Sequence, residues 1–385
     1  MWQPKEIIVN VKVKNDPGTK RILNMCDGVP VKYVKNGKAK TIINASDILR
    51  TAGNTMLEKI NAGKQVLYIA PPGTGLVDQF QMPDDRMLCP HFDRLRFGSN
   101  ACPFLCDWCF LKLTYRAAFP FMTVYVGYQI IEKQLEKRLN QTTDPVIFNS
   151  GELGDSLAFE HLTGAAQHFI PWFAESDNGY LFMLTKSTSV DQILDLDHKG
   201  RTIIAWSINN EKISRKFEIG APTFSQRLAA AEKVQNAGYP LRIRLDPIVP
   251  FEGYQPEYSK TIKHIFEKVS PERITLGTLR FEPGFYNIRH NIFNTGTILP
   301  EMLGKMVPMF QPKLFSGKKR LKSGKYSFPE AQRIEIFNFA INEIRKYSDC
   351  KIALCKESAV VWQNTGLEPS RCSCVCQLDY ADMTN

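Results

Sequence analysis

From about residue 94 onward, short apolar runs rich in β-branched and aromatic residues alternate with stretches whose apolar positions recur at helical spacing. This rhythm predicts repeated strand–helix units. The predicted strands are Arg94 to Ser99, Val146 to Gly151, Tyr180 to Lys186, Thr202 to Asn209, Leu241 to Val249 and Arg273 to Phe281. Thr123 to Leu139 and Phe224 to Ala237 read as helices, the second closed by Gly238. Six such units predict an α/β fold, a partial TIM-like (β/α)6 barrel with its reactive groups at the carboxyl ends of parallel strands. Residues 1–95 read as an irregular amino-terminal layer, with Glu6 to Val13 and Gln65 to Ala70 as short apolar runs. Residues 96–300 hold the barrel. Residues 301–385 form a carboxyl-terminal extension with a basic hairpin, a helix from Pro329 to Tyr347 and a cysteine-rich tail.

Composition changes this picture only at the edges. With 385 residues and 43% hydrophobic content, the chain can bury a sizeable core. No apolar run approaches the roughly 20 residues that span a bilayer, and the first residues lack the basic-then-apolar pattern of a secretory signal. Ten cysteines in such a chain suit a reducing compartment, so a cytoplasmic protein with no membrane partner is expected. A net charge of +10 favours a polyanionic partner. Ala70 to Leu76 begins like a phosphate-binding loop, but Leu76 stands where that loop needs lysine, and an ordinary turn explains it.

The chemistry concentrates in Cys102-Pro-Phe-Leu-Cys106-Asp-Trp-Cys109. Three thiolates at C-x3-C-x2-C spacing can hold three corners of a [4Fe–4S] cube and leave the fourth iron open. An electron-transfer cluster is normally closed by four thiolates, so an open iron implies a bound cosubstrate. Structural zinc usually takes two separated ligand pairs, which this loop lacks. The spacing is that of the radical SAM superfamily, whose cluster cleaves S-adenosylmethionine to a 5′-deoxyadenosyl radical.

Further blocks carry a closer resemblance. Asp155-Ser-Leu-Ala-Phe-Glu160-His161-Leu-Thr163-Gly164, Thr185-Lys186, Trp206-Ser207-Ile-Asn209, Ala237-Gly238-Tyr-Pro240-Leu241, Asp246-Pro247-Ile248 and Gly324-Lys325-Tyr326-Ser-Phe328-Pro329 follow in order over some 250 residues. Together they resemble the spore photoproduct lyases and their radical SAM relatives. The resemblance implies that Lys186 meets the cosubstrate carboxylate and Ser207 its carboxylate or ribose. Ser150, Gly151 and Glu152 lie where such enzymes often meet the methionine amino group; Asn209 and Asp246 complete the expected cosubstrate set, Asp246 as a partner for ribose or a substrate amine. A reducing partner such as flavodoxin or ferredoxin is expected as well.

The departures are equally informative. Glu152 occupies the place of the family's hydrogen-donating cysteine, and Trp108 and Phe110 replace two tyrosines flanking the last cluster cysteine. A carboxylate O–H is too strong to donate a hydrogen atom, and Phe110 has no O–H. Either another residue ends the radical, with Cys89 and Tyr115 as candidates, or the enzyme takes hydrogen from a different substrate and finishes by rearrangement or recycling. The second reading is preferred.

Lys318, Lys319, Arg320, Lys322 and Lys325 form a basic segment suited to phosphate contacts with DNA or a nucleotide. Cys355, Cys372, Cys374 and Cys376 form a second cysteine group that suits either an auxiliary Fe–S cluster or zinc. His161 reads as packing at the start of its helix. Arg242 and Arg244 share one strand face and are candidates to line the barrel. The expected function is radical chemistry on DNA or a modified nucleobase, as repair or modification. The alternatives are a radical isomerase or modifying enzyme for a hypermodified base or small molecule, and a non-catalytic Fe–S nucleic-acid-binding protein.

Overall fold

The computed structural model describes residues 1–80, 86–88, 92–117, 119–288, 291, 305–310, 313–314, 321–322 and 325–368. Seventeen strands are found among them. In chain order they are β1 (Glu6–Asn10), β2 (Val31–Val34), β3 (Val66–Ala70), β4 (Val77–Phe80), β5 (Phe92–Leu95), β6 (Gly98–Ser99), β7 (Met122–Tyr125), β8 (Val146–Asn149) and β9 (Gly179–Thr185). They continue with β10 (Thr202–Ile208), β11 (Leu241–Ile248), β12 (Arg273–Thr278), β13 (Val307–Pro308), β14 (Lys313–Leu314), β15 (Leu321–Lys322), β16 (Tyr326–Ser327) and β17 (Lys351–Leu354).

The barrel sheet runs β17-β12-β11-β10-β9-β8-β5-β4. All its pairings are parallel except β4 with β5. It therefore carries seven parallel strands, one more than the sequence pattern suggests, because β17 joins from the carboxyl-terminal region. A second sheet, β2-β1-β3-β7-β6, makes the amino-terminal layer. Its members β1 and β3 are the apolar runs noted above, so this layer is regular rather than irregular. The sheets do not divide at residues 95 or 300: β4 reaches the barrel from before the first boundary, β6 and β7 return to the other sheet after it, and β17 joins from beyond the second.

Residues 123–139 do not form one helix. Met122–Tyr125 is strand, and the helix starts at Tyr128 after Gly127 turns the chain with φ 88°. The run Thr-Val-Tyr-Val is β-branched and aromatic, which favours a pleated, packed surface over a helix. The helix Phe224–Asn236 is close to expectation, with Thr223 and Gln226 forming a capping box at its start. No helix among the described residues is long and apolar enough to cross a membrane.

Alternation along the strands decides what faces the concave side. Every residue of β10 is buried because the sheet is covered on both faces. Ile147, Phe182, Ile203 and Ala205 pack together on the inner face, while Phe148, Leu181, Ile204 and Trp206 join the main core. Continuing the inner rows in steps of two, from Ile147 and Phe182 by four residues and from Ala205 by two, brings Gly151, Lys186 and Ser207 to the same mouth. Gly277 must be glycine, since a Cβ there would sit 2.4 Å from the Asp246 carboxylate.

Candidate active site

The cluster loop is held by backbone rather than by regular structure. Leu105 N donates to Ile219 O and Asp107 N to Phe217 O, each at 2.8 Å, so the loop is laced to the end of the 211–217 helix. Cys102 N donates to Asn100 O at 2.8 Å and Cys109 N to Cys106 O at 3.1 Å. From the amino-terminal layer, Lys64 donates to the Cys102 carbonyl and lies 4.8 Å over the Tyr115 ring. Cys102 and Cys106 are buried and Cys109 is half-buried. Burial pushes the Cys102 thiol up to about 12 and the Cys106 thiol higher still. Thiols held protonated in this way would have to give up their protons to any cationic iron bound here. The three cysteines line one cavity and share a packed apolar nest with Phe104 and Leu111, which fits a water-shielded cluster. Among the described residues, no three His, Cys, Asp or Glu side chains gather closely enough to hold a single metal ion. A cube does not need that, because each thiolate binds its own iron.

That cavity measures about 770 Å³ and collects the strand ends. Gly151, Glu152, Lys186, Ser207 and Asp246 all line it. A Cβ on Gly151 would lie 2.7 Å from Leu184 Cβ, so only glycine fits. Lys186 stands 3.8 Å from Glu218, which also pairs with Arg227 at 2.5 Å. Burial disfavours the Lys186 ammonium, but Glu218 and Cys106 outweigh it and hold the group above the usual lysine range. A carboxylate partner thus already suits this lysine. Asp155, named above only within a motif, is the hinge of the near wall. Its carboxylate accepts from Thr185 Oγ1 at 2.6 Å, Lys186 N at 2.7 Å, Ala158 N at 2.9 Å and Leu157 N at 3.1 Å.

Other expected residues sit elsewhere. Ser150 bonds Ser156 at 2.9 Å and donates to Phe182 O, and it is not among the residues lining this cavity. Asn209 is buried, donating to Pro247 O at 2.8 Å and accepting from Tyr258 at 2.8 Å, so it ties β10 to β11. Tyr115 does not line the cavity either; its hydroxyl donates to Asn100 O at 3.2 Å behind the cluster loop. Asp246 is met by the protein's own cations, Arg244 at 2.8 Å and Arg280 at 2.9 Å. Burial opposes its charge, but the two guanidiniums outweigh burial and hold the carboxyl at about 2. At this strand end the register shifts between Leu245 and Ile248, and the Asp246–Pro247 peptide is cis. Arg242 is buried against Glu272 at 2.5 Å, away from the cavity. His161 packs at its helix start against Trp2 O. Cys355 is buried, with its sulfur 2.8 Å from Arg244.

Cys89, Cys372, Cys374, Cys376, Lys318, Lys319 and Arg320 lie outside the described residues. Lys322 lies in β15, which pairs antiparallel with β14. Lys325 reaches the cavity and pairs with Glu282. Arg280 and Lys356 also line the cavity. Sequence reading passed over both, because neither belongs to a short motif.

A family model described as spore photoproduct lyase matches residues 95–347. The chain belongs to that family. It is accordingly a radical SAM enzyme of the lyase group. Spore photoproduct lyase from Bacillus subtilis (strain 168) is 28% identical over 268 residues, covering 66% of this chain and 75% of that protein. The lyase from Geobacillus sp. (strain Y412MC61) is 28% identical over 229 residues, 59% of this chain and 64% of that one. In fold, the chain is similar to a spore photoproduct lyase complexed with dinucleoside spore photoproduct, with a TM-score of 0.75 at 22% identity over 91% of this chain and 99% of that one. A double mutant of spore photoproduct lyase with bound AdoMet and dinucleoside spore photoproduct gives 0.73 at 22% identity, over 92% and 98%. The partial barrel inferred from the strand–helix rhythm is the fold of these enzymes.

Proposed function

We propose that this chain binds a [4Fe–4S] cluster on Cys102, Cys106 and Cys109 and S-adenosylmethionine on Glu152, Lys186 and Ser207, and acts on a thymine-type lesion or modified base in DNA. The observation that carries this reading is one cavity lined by all six residues, with an apolar nest around the cysteines. Together the two groups would supply a carbon-centred radical once a donor such as flavodoxin or ferredoxin had delivered one electron to the cluster. The chain's own contributions are separate from that chemistry. Lys186 holds a carboxylate, Asp155 keeps the Thr185–Lys186 strand end in place, and Gly151 leaves room for close approach. Trp108, Phe110, Phe281 and Phe285 offer aromatic surface for a flipped base.

Glu152 favours one change to the family reaction. It lines the cavity where a hydrogen donor is otherwise expected, and Tyr115 does not reach that cavity. The product radical is then not quenched by either residue, which favours a modification or rearrangement over simple reversal of a dimer. Reconstitution under nitrogen, followed by a dithionite assay with dinucleoside spore photoproduct, separates the two. Release of thymidine supports reversal. 5′-Deoxyadenosine with an altered but unreversed base supports modification. No 5′-deoxyadenosine from a fully iron-loaded protein refutes both and favours a non-catalytic Fe–S binding protein.

A further inference from the structure

Lys64 stands at the joint between the helix Met56–Gly63 and β3, its amide donating to Ile60 O at 3.0 Å to close the helix. It is 5% exposed. Its ammonium leaves the amino-terminal layer to meet the Cys102 carbonyl and the face of the Tyr115 ring. Gly63 permits this approach, since a Cβ there would lie 2.2 Å from Pro120 O and 2.8 Å from Tyr115 Cε1. The helix end is thus seated directly on the segment that follows the cluster loop.

What Lys64 lacks is a carboxylate. Two other lysines are favoured by charge on the cluster cysteines, and each has one: Lys112 pairs with Asp107 at 3.2 Å and Lys186 with Glu218 at 3.8 Å. Among the described residues Lys64 forms no ion pair; its partners are a neutral carbonyl and a ring. Asp155, the carboxylate that acts on the Cys102 sulfur, is committed to Thr185 and to the Lys186, Leu157 and Ala158 amides. Tyr115 does not serve either, because burial pushes its hydroxyl well above the ordinary range and keeps it neutral. A buried cation without a counter-charge is strongly destabilising, and buried charges are otherwise paired or belong to a metal site. On the cluster reading the anion is at hand. Three thiolates leave a [4Fe–4S] cube with a net negative charge, and reduction adds one more. Burial raises the Cys102 thiol, and Lys64 opposes that rise in favour of the thiolate.

We propose that Lys64 is the counter-charge of the cluster, through which the amino-terminal layer raises the cluster's reduction potential. The inference rests on the cluster reading above and adds to it a residue outside the cysteine loop. Lys64 does not line the cavity, so it acts through its field on Cys102 and on the charge held there. A fixed cation favours the more negative, reduced form. Its loss favours the oxidised one.

The test is a redox titration of the anaerobically reconstituted full chain without S-adenosylmethionine, followed by electron paramagnetic resonance. Lys64→Met and Lys64→Gln each shift the reduction equilibrium about tenfold or more towards the oxidised form, a fall of about 59 mV for one electron. Lys64→Arg keeps the charge and stays within about threefold of the wild type. Glutamine retains a donor for the Cys102 carbonyl, so its agreement with methionine separates charge from hydrogen bonding. A wild-type potential in Lys64→Gln overturns the proposal, as do equal potentials in all four proteins. If the methionine and glutamine variants take up little iron while the arginine variant loads fully, a cation is required for assembly and the proposal stands. Iron-free protein supplies a second readout: Lys64→Met removes a cation that has no partner there, so it unfolds at no lower denaturant than the wild type. Unfolding of that variant at much lower denaturant, or failure of all three variants to load iron, marks a structural position and overturns the proposal. If the wild type itself takes up no iron, the cluster reading fails and takes this inference with it.

Discussion

The two walls of the cavity are built in different ways. The near wall draws its three cysteines from eight consecutive residues and the side chains proposed to hold the cosubstrate from strand ends ordered by Asp155 and by backbone hydrogen bonds. The far wall gathers Arg244, Asp246, Arg280, Lys325 and Lys356 from segments up to 112 positions apart, and charge pairing orders it. One wall can therefore lose a side chain and lose one chemical step, whereas the other shares its charges and responds as a group. The difference suits a fixed cofactor on one side and a variable substrate on the other.

The sharpest break of this comparison is Cys106→Ala, which removes a proposed cluster ligand from the near wall. It is expected to cut iron content and to abolish 5′-deoxyadenosine formation while the fold persists; iron counting, product chromatography and circular dichroism check it. On the far wall, Asp246→Asn leaves two guanidiniums facing each other without their carboxylate, and about 3–5 kcal/mol of stability should be lost in denaturant unfolding. The pH dependence has a definite sign. With the carboxyl held at about 2 in the folded state against an ordinary 3.8, its stabilisation is present above about pH 4 and is lost as pH falls towards 2. The asparagine variant should lack that part of the acid-induced loss. Lys186→Met removes one charge-assisted contact and should weaken S-adenosylmethionine binding roughly 10- to 100-fold, measured by titration calorimetry. Tyr115→Phe should cost about 1 kcal/mol of stability and leave the product distribution unchanged, because that hydroxyl faces Asn100 and not the cavity. Finally, Glu152→Cys places an exchangeable S–H on the cavity wall. Solvent deuterium should then appear in the product of the variant and not of the wild type, as read by mass spectrometry.

Legibility in the sequence followed the same division. The six strand runs and the cluster loop were readable because each follows from a local period or spacing, whereas Lys186 and Ser207 were reached through the resemblance of ordered motif blocks to a known family. The structure brings both to the lining of the one cavity. Asn209 and Ser150 do not line the cavity, a difference that polar strand ends do not show in sequence, and Asn209 turns inward to bond Pro247 and Tyr258. The strand Met122–Tyr125 was hidden inside a longer helical pattern, and Gly127 was the overlooked punctuation. Arg280 and Lys356 were invisible for another reason. Their meaning depends on β12 and β17 being neighbours and on the turn after β17 approaching Leu88, contacts that no local pattern encodes.

The measurement that tests the central claim most directly is single-turnover assay of the anaerobically reconstituted protein with dithionite, S-adenosylmethionine and dinucleoside spore photoproduct. The account predicts that 5′-deoxyadenosine forms in step with consumption of the lesion and that Cys106→Ala abolishes both. Formation of 5′-deoxyadenosine at the same rate with and without the lesion, and with the lesion left intact, would contradict the claim that one cavity unites cluster, cosubstrate and nucleic acid.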